Sequence, residues 1–415
     1  MTDHAKARLR KGAAVALCVA TAACSDIFSL DIEAPGRIAD EDLNNRSAVQ
    51  GIVAGMSYDI SQGLDAALAE AVMAGGELWH GGSYNHGAIP RGMLLDEAGL
   101  WDGPFGSMQQ GRWVAEQGLK RILEVLGPTD YETSPNVARA YLLAGFANRL
   151  LGELQCVSTI DGGPEVPNTE HFERADSLFT RAIEVAMAAN QSSIIDAAHG
   201  GRASVRAWLG DWTGAVADAS VVPAAFEYHA VFSTTPGGIE NDLAGETNAT
   251  NGRREYTVFS TVWVDVPDDP RVPWHPVLNA AGQVVPSQDG ETPFYEQDKF
   301  EDSDADIRFT HGSEMLVLRA EARLRNNDIP GMVDLLDQAR AVYDMDPITA
   351  VPGNMAEAWS LLRVERAATL WLEGRRLFDL RRWQEQGGDA ADPFAAGRDL
   401  CFPISLEERR VNPNL

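Results

Sequence analysis

The sequence predicts a mostly α-helical protein, in which paired helices stack into a right-handed helical scaffold broken by a loop-rich insertion with short β-hairpins. Three observations lead there. Apolar residues recur at helical spacing in three helix–turn–helix units. Alanines sit where paired helices would approach closely. One stretch, about 232–312, loses the helical period and is rich in Pro, Gly and Asn. With 415 residues, 45% hydrophobic and 23% charged, the chain can bury a sizeable core.

From the N-terminus, Lys6, Arg8, Arg10 and Lys11 precede an apolar run from Ala13 to Ala23. The run is too short to span a bilayer and ends in small residues, so 1–23 reads as a secretory signal peptide. Thr21-Ala22-Ala23-Cys24-Ser25 resembles a bacterial lipobox, with Thr21 where Leu is usual. Cys24 is the expected lipid anchor; cleavage after Ala22 or Ala23 would instead release an unanchored protein. Residues 24–45 read as a tether and 46–415 as a single domain.

Residues 46–75 carry Val49, Ile52, Val53, Met56, Leu64, Leu68 and Val72 at helical spacing. From 76 to 110, glycines stand among Trp79, His80, Tyr84, His86, Trp101 and Phe105, which suggests loops that expose rings or fold them inward. A helix is expected again over 109–126. The three pairs follow: Val137–Leu154 with Phe172–Met187, Ala203–Leu209 with Ala215–Val222, and Glu314–Leu324 with Met332–Val342. Ala144, Ala182, Ala207, Ala215, Ala320 and Ala322 mark the close approaches. The arrangement resembles tetratricopeptide packing, whose pairs cannot bury their faces alone and therefore stack.

Within the insertion, Tyr256 to Val266 reads as a strand and Asp268-Asp269-Pro270-Arg271 as a turn. Near the C-terminus, Leu361, Val364, Ala368 and Trp371 form a helical stripe, and Arg366 and Glu373 are spaced for an ion pair. Gly374 should end that helix or permit close packing. A second helix, Leu377 to Trp383, carries arginines around Asp379. Cys156 and Cys401 either pair or stay as buried thiols.

A formal charge of −27 argues against nucleic acid as a partner. The sequence has no HExxH, GxSxG or P-loop, and no carboxylate spacing that implies glycoside hydrolysis. No catalytic residue, cofactor or metal is therefore expected; His80 and His86 read as solvated turn residues.

Glu365-Arg366, Glu373-Gly374-Arg375-Arg376 and Phe378-Asp379-Leu380-Arg381-Arg382-Trp383 resemble the C-terminal hallmark of the SusD/RagB family. Phe402-Pro403-Ile404 through Asn412-Pro413-Asn414-Leu415, Asp269-Pro270-Arg271, and Glu314 to Leu324 are similar to other segments of that family. The resemblance implies an outer-membrane lipoprotein facing the exterior. It would bind nutrient oligomers, glycans or in some members peptides, and hand them to a SusC/RagA-like TonB-dependent barrel transporter.

Sugar recognition needs aromatic faces beside amides and carboxylates. The candidates in loop contexts are Trp79, Tyr84, Trp101, Trp263 and Trp274; Trp274, in a proline-flanked loop, is expected to be more exposed than Trp263 in its strand-like run. Trp208, Trp212, Trp371 and Trp383 lie in helical frames and are assigned to packing. The alternative function is a helical-repeat scaffold lipoprotein for outer-membrane assembly; the long insertion argues against it.

Overall fold

Glycines and alanines set how closely the helices approach. The computed structural model describes residues 40–415 apart from 83, 95–98, 251 and 267, so the expected signal peptide, Cys24 and the tether up to residue 39 lie outside the described residues. Asp40–Leu43 is a single 3-10 turn, and residues 44–415 form one unit. α1 (Val49–Ala74) packs along α2 (Asp102–Leu126). Here a Cβ on Gly111 would lie 2.9 Å from the Asp59 carbonyl oxygen, and one on Gly63 3.1 Å from Met108 Cα. Only glycine permits that approach.

α2 starts at Asp102, not at 109. Asp102 suits the positive end of the helix, and Pro104 falls in the first turn, where its missing N–H leaves no bond unmade. The three predicted pairs are α3 (Pro135–Leu154) with α4 (Asn168–Ala188), α5 (Ser192–Trp208) with α6 (Trp212–Ala219), and α7 (Gly312–Arg325) with α8 (Ile329–Ala341). α5 is longer than its sequence period suggested, because Gly200 and Gly201 interrupt the apolar stripe without breaking the helix. Two pair turns share one device: Asp211 accepts from the Gly214 N–H, and Asp328 from the Gly331 N–H. All six marker alanines are buried. Successive pairs touch in order, α2 on α3, α4 on α5 and α6 on α7, and the stack buries its apolar residues in three clusters.

The insertion is closed at its base. Ahead of it in the chain come β1 (Trp79–His80) and a small hairpin of β2 (Val157–Ser158) with β3 (Val166–Pro167); β4 (Glu227–Ala230) pairs antiparallel with β8 (Ile307–His311), so the insertion's two ends are laced together. Between them lie β5 (Tyr256–Thr257), β6 (Trp274–Pro276) and β7 (Tyr295–Gln297), the last two pairing antiparallel. The strand expected over Tyr256–Val266 survives only at its first two residues. Thr257 Oγ1 accepts from the Phe259 N–H at 3.2 Å, and Thr261 Oγ1 donates to the Val258 carbonyl at 2.7 Å and caps a 3-10 turn, Val262–Asp265. Local threonine bonds outcompete the ladder there.

The C-terminal helices α9 (Met355–Thr369) and α10 (Arg376–Gln386) change two expectations. The buried face of α9 runs through Ala358, Trp359, Leu362, Glu365 and Arg366, while Val364 is 46% exposed. Arg366 does not pair with Glu373; its Nε donates to Asp379 at 2.7 Å. The reason is backbone geometry. α9 ends at Thr369, and Leu372 (φ 59°) and Gly374 (φ 69°) turn the chain off its axis. Glu373 is thereby swung toward the insertion, where Lys299 (2.8 Å), Arg308 (2.6 Å) and His311 (3.3 Å) surround it. Glu365 likewise takes Arg271 at 2.6 Å and Arg340 at 2.7 Å. Buried charges persist only when paired in this way. Cys156 and Cys401 form a disulfide, fastening the loop after α3 to the chain end.

Candidate ligand-binding face

The two regions expected to bind, the glycine–aromatic loops and the insertion, are joined. β1 (Trp79–His80) follows α1 and pairs antiparallel with β5, Trp79 opposite Thr257 and His80 opposite Tyr256. The seam continues past the strands: the Gly81 N–H donates to the Glu255 carbonyl at 2.9 Å, and the Asp289 N–H to the Gly81 carbonyl at 2.8 Å. On the other side of β5, the Val258 N–H donates to the Tyr295 carbonyl at 3.0 Å and the Tyr295 N–H to Thr257 Oγ1 at 2.8 Å. The run β1–β5–β7–β6 thus carries aromatic residues from both regions.

Those rings form two groups. In the first, Tyr84 lies 5.7 Å from His86, and His86 is near parallel to Tyr256 at 6.2 Å. A hydrogen bond of 3.0 Å joins His86 Nδ1 to the Tyr256 hydroxyl. Arg253 lies over Tyr84 at 4.4 Å, and Arg91 over Trp79 at 5.3 Å. In the second group, Trp274 stacks on Tyr295 at 5.2 Å with 3° between the planes.

Carboxyl groups lie under the first group. Burial pushes Glu70 up to about 7; burial and the charge of Asp242 do the same for Glu246. Asp65 is raised by burial and by Asp242, whose N–H nevertheless donates to it at 3.0 Å. Burial lowers His80 and His86 below the usual imidazole range, which favours their neutral forms. The face therefore offers aromatic rings with acids beside them and guanidinium groups over one side of Tyr84 and of Trp79, a mixed polar and aromatic surface.

The five residues expected to contact ligand separate on this structure. Tyr84 is 40% exposed, while Trp79 and Trp274 are half-buried with their partners above. Trp101 and Trp263 correct the expectation of exposed rings, being only 3% and 2% exposed. Trp101 is stacked at 3.8 Å on Phe402, and Trp263 is inside the core beneath Arg376. Both are large apolar rings drawn inward by the area they hide, though their sequence surroundings read as loop. His80 and His86 are partly buried members of the ring cluster, not solvated turn residues. Tyr256, Tyr295, Arg91 and Arg253 went unread as site residues. The one available signal was Tyr256 in a β-branched run, which pointed to a strand and not to a ligand.

The charged motif of the C-terminal helices is buried in the scaffold. Arg375 reaches Glu153 at 2.9 Å and Glu314 at 3.1 Å, and Arg382 bridges Asp379 and Glu321. These pairs tie the start and first turns of α10 to α3 and α7 within the helix stack.

Comparison with known proteins agrees with this architecture. The SusD family profile matches residues 297–400, the segment that supplies most of the buried charges. No curated protein sequence matches the chain. Among solved structures, a SusD superfamily protein from Bacteroides thetaiotaomicron is similar with a TM-score of 0.68 at 14% identity, covering 90% of this chain and 98% of that one. One from Parabacteroides distasonis gives a TM-score of 0.67 at 12% identity, covering 91% and 99%. A SusD-like carbohydrate binding protein from Bacteroides vulgatus gives 0.64 at 13% identity, covering 90% and 97%. The segment that matches the SusD family is thus set in the helix-pair fold that these structures share.

Proposed function

We propose that this chain is an outer-membrane lipoprotein, anchored through Cys24 and facing the exterior, that binds nutrient oligomers and delivers them to a SusC/RagA-like TonB-dependent transporter. Glycans are the preferred ligand class and peptides the alternative. We read it as a binding protein, not an enzyme, and as having no nucleic-acid partner. The observation that carries the reading is the ring cluster of Trp79, Tyr84, His86 and Tyr256 at the seam between the loop after α1 and the insertion. The fold similarity to a carbohydrate-binding protein supports the glycan preference. Among the described residues, no helix is long and apolar enough to cross a membrane, so attachment would depend on the lipid.

The test is calorimetric titration of the processed protein with neutral oligosaccharides and with short peptides. Saccharide binding without turnover supports the reading; peptide binding alone moves the ligand class; release of shortened products overturns the binding-only role. Detergent-extracted membranes should yield a TonB-dependent barrel with the protein; recovery of assembly machinery in its place favours the scaffold function. Cys24→Ala should shift the protein out of the membrane fraction, and unchanged partition defeats the anchor.

A further inference from the structure

α2 carries a large aromatic surface outside the ring cluster. The buried stripe of that helix runs through Met108, Gly111, Ala115, Leu119 and Ile122, and Trp113 falls off it. At 50% exposure Trp113 is the most exposed tryptophan among the described residues, and none of their rings or cations stacks on it. A lone exposed ring is ordinary on a helix surface. This one, however, lines a depression whose other walls are polar and fixed.

The depression lies between α2, the loop after α3 and the short helix α11 (Leu406–Val411). Its walls are held from behind. Arg112, 2% exposed, commits its guanidinium to Gln109 at 3.1 Å, Glu116 at 3.0 Å and Asp161 at 2.7 Å. Gln109 Nε2 donates to the Thr159 carbonyl at 2.8 Å, and Thr159 Oγ1 donates to Glu408 Oε1 at 3.0 Å. Asn414 donates to the Gly162 carbonyl at 2.7 Å, and the Cys156–Cys401 bond fastens the same loop to the same chain end. A ligand therefore meets a preformed surface, and little ordering opposes its binding.

The groups left over are acceptors. Gln110 Nε2 donates to Asp59, but Gln110 Oε1, Asp161 Oδ2 and Glu408 Oε2 accept from no described residue. Gln110 is exposed and the Asp161 side chain is 51% exposed, so donors in solution can reach them. Arg112 is the only cation in the lining and is fully engaged, so two carboxylates oppose an anionic ligand. A protein interface would need a contiguous apolar patch, and beside Trp113 the lining supplies only Val114. A cation cage would need further rings. A neutral pyranose suits all of these features: its C–H face covers the indole and its hydroxyls donate to the acceptors around it.

We propose that the depression at Trp113 is a second saccharide-binding site, which takes a neutral pyranose on the indole and its hydroxyl protons on Gln110, Asp161 and Glu408. It shares no residue with the ring cluster. The proposal rests on the saccharide-binding reading above and adds a second point of attachment, which favours long chains over short ones.

The experiment labels the processed protein with 5-fluorotryptophan and assigns the fluorine signals of Trp113 and Trp79 through Trp113→Phe and Trp79→Phe. Cellotetraose, maltotetraose, xylotetraose and the cationic tetramer of glucosamine are then titrated separately. A neutral tetrasaccharide should move the Trp113 signal saturably, and should still do so in Tyr84→Ala. In calorimetry, Trp113→Ala should weaken that binding at least about tenfold, while the Trp79 signal of the variant responds as in the parent. Gln110→Ala lies on the exposed side of α2 and should weaken the site severalfold, which keeps the comparison available if Trp113→Ala misfolds by circular dichroism. A neutral sugar that moves the Trp79 signal alone overturns the second site and leaves saccharide binding intact. A Trp113 response that disappears in Tyr84→Ala, or that only the cationic tetramer produces, overturns it as well. If no saccharide moves either signal, both readings fail.

Discussion

Arg271 and Glu365 are 94 positions apart and meet at 2.6 Å, both buried. Arg271 comes from the turn Asp269-Pro270-Arg271 in the insertion, and Glu365 from α9 in the scaffold. Asp269 holds the other side of the guanidinium at 2.7 Å, and Arg340 on α8 adds a second cation to Glu365 at 2.7 Å. The pair bolts the flap to the helix stack. Glu365→Ala would take a carboxylate partner from two arginines, and the expected loss is about 3 kcal/mol, the lower end of the range for breaking a buried pair. Arg271→Met combined with Glu365→Leu should recover only part of it, since the central pair goes together but Asp269 and Arg340 each lose a partner. Urea denaturation of the three forms decides; a single variant within about 0.5 kcal/mol of the parent contradicts the bolt.

The Cys156–Cys401 bond closes a loop with a sequence separation of 245. The backbone beside it is also joined, through a parallel bridge between Gln155 and Phe402. A long closed loop restricts the unfolded chain, so Cys156→Ser with Cys401→Ser should lower stability by about 2–4 kcal/mol. Reductant should lower the melting temperature of the parent and leave the double variant unaffected. Two free thiols titrated in the untreated, exported protein would contradict the bond.

Charge burial also sets a pH dependence whose sign differs between two groups of acids. Burial opposes ionisation of Glu321, but Arg382 and Arg325 outweigh it and hold the carboxyl down at about 2. That stability is present above the ordinary glutamate range and is lost as pH falls toward 2. Asp65 behaves in the opposite way. Burial, and then the charge of Asp242, push it up to about 8. The folded state keeps a proton that the unfolded chain releases near pH 4, so stability declines as pH rises from about 4 to about 8. Asp65→Asn preserves the acceptor for the Asp242 N–H and cannot ionise. Its melting temperature should exceed the parent's by a few degrees at pH 8, and the gain should vanish near pH 4. A gain of the same size at both pH values would mean that packing, not ionisation, is responsible.

Much of the scaffold was legible because helix period and small-residue spacing are local properties. Ala175, Leu178, Phe179, Ala182, Ile183 and Ala186 announce α4, and all are buried but Leu178, which is half-buried. The C-terminal motif lies in the segment that matches the SusD family, and its charges are structural. What stayed hidden depends on partners distant in sequence. Trp101 lies in a glycine-rich stretch that reads as exposed, and only Phe402, some three hundred residues on, draws it inside. Glu373 seemed set for Arg366, but the left-handed residues Leu372 and Gly374 redirect it to Lys299 and Arg308. The binding face has the same origin: Trp79 and Tyr256 meet through a strand pair only two residues long, below what periodicity can reveal.

The rings of that face should be separable by function from those of the core. Tyr84 is exposed, with Arg253 on one side and His86 beside it, so it can lie against a pyranose without any change in the fold. Trp274 is half-buried against Tyr295 and has one face left for a ligand or for the flap. Trp263 is enclosed and its ring is already in contact with the core. Stacking of this kind contributes about 0.5–1.5 kcal/mol beyond the area it hides, so Tyr84→Ala and Trp274→Ala should each weaken saccharide binding by about tenfold. Tyr84→Phe keeps the face and should retain most of the affinity. Trp263→Phe should lower the melting temperature by leaving a cavity, while affinity at a temperature where it is folded stays at the parent value. Calorimetry of the four variants against one saccharide, with circular dichroism to confirm folding, tests the division. Weak binding by Trp263→Phe together with full binding by Tyr84→Ala would place the ligand elsewhere, on a face that needs the core ring and not the exposed one.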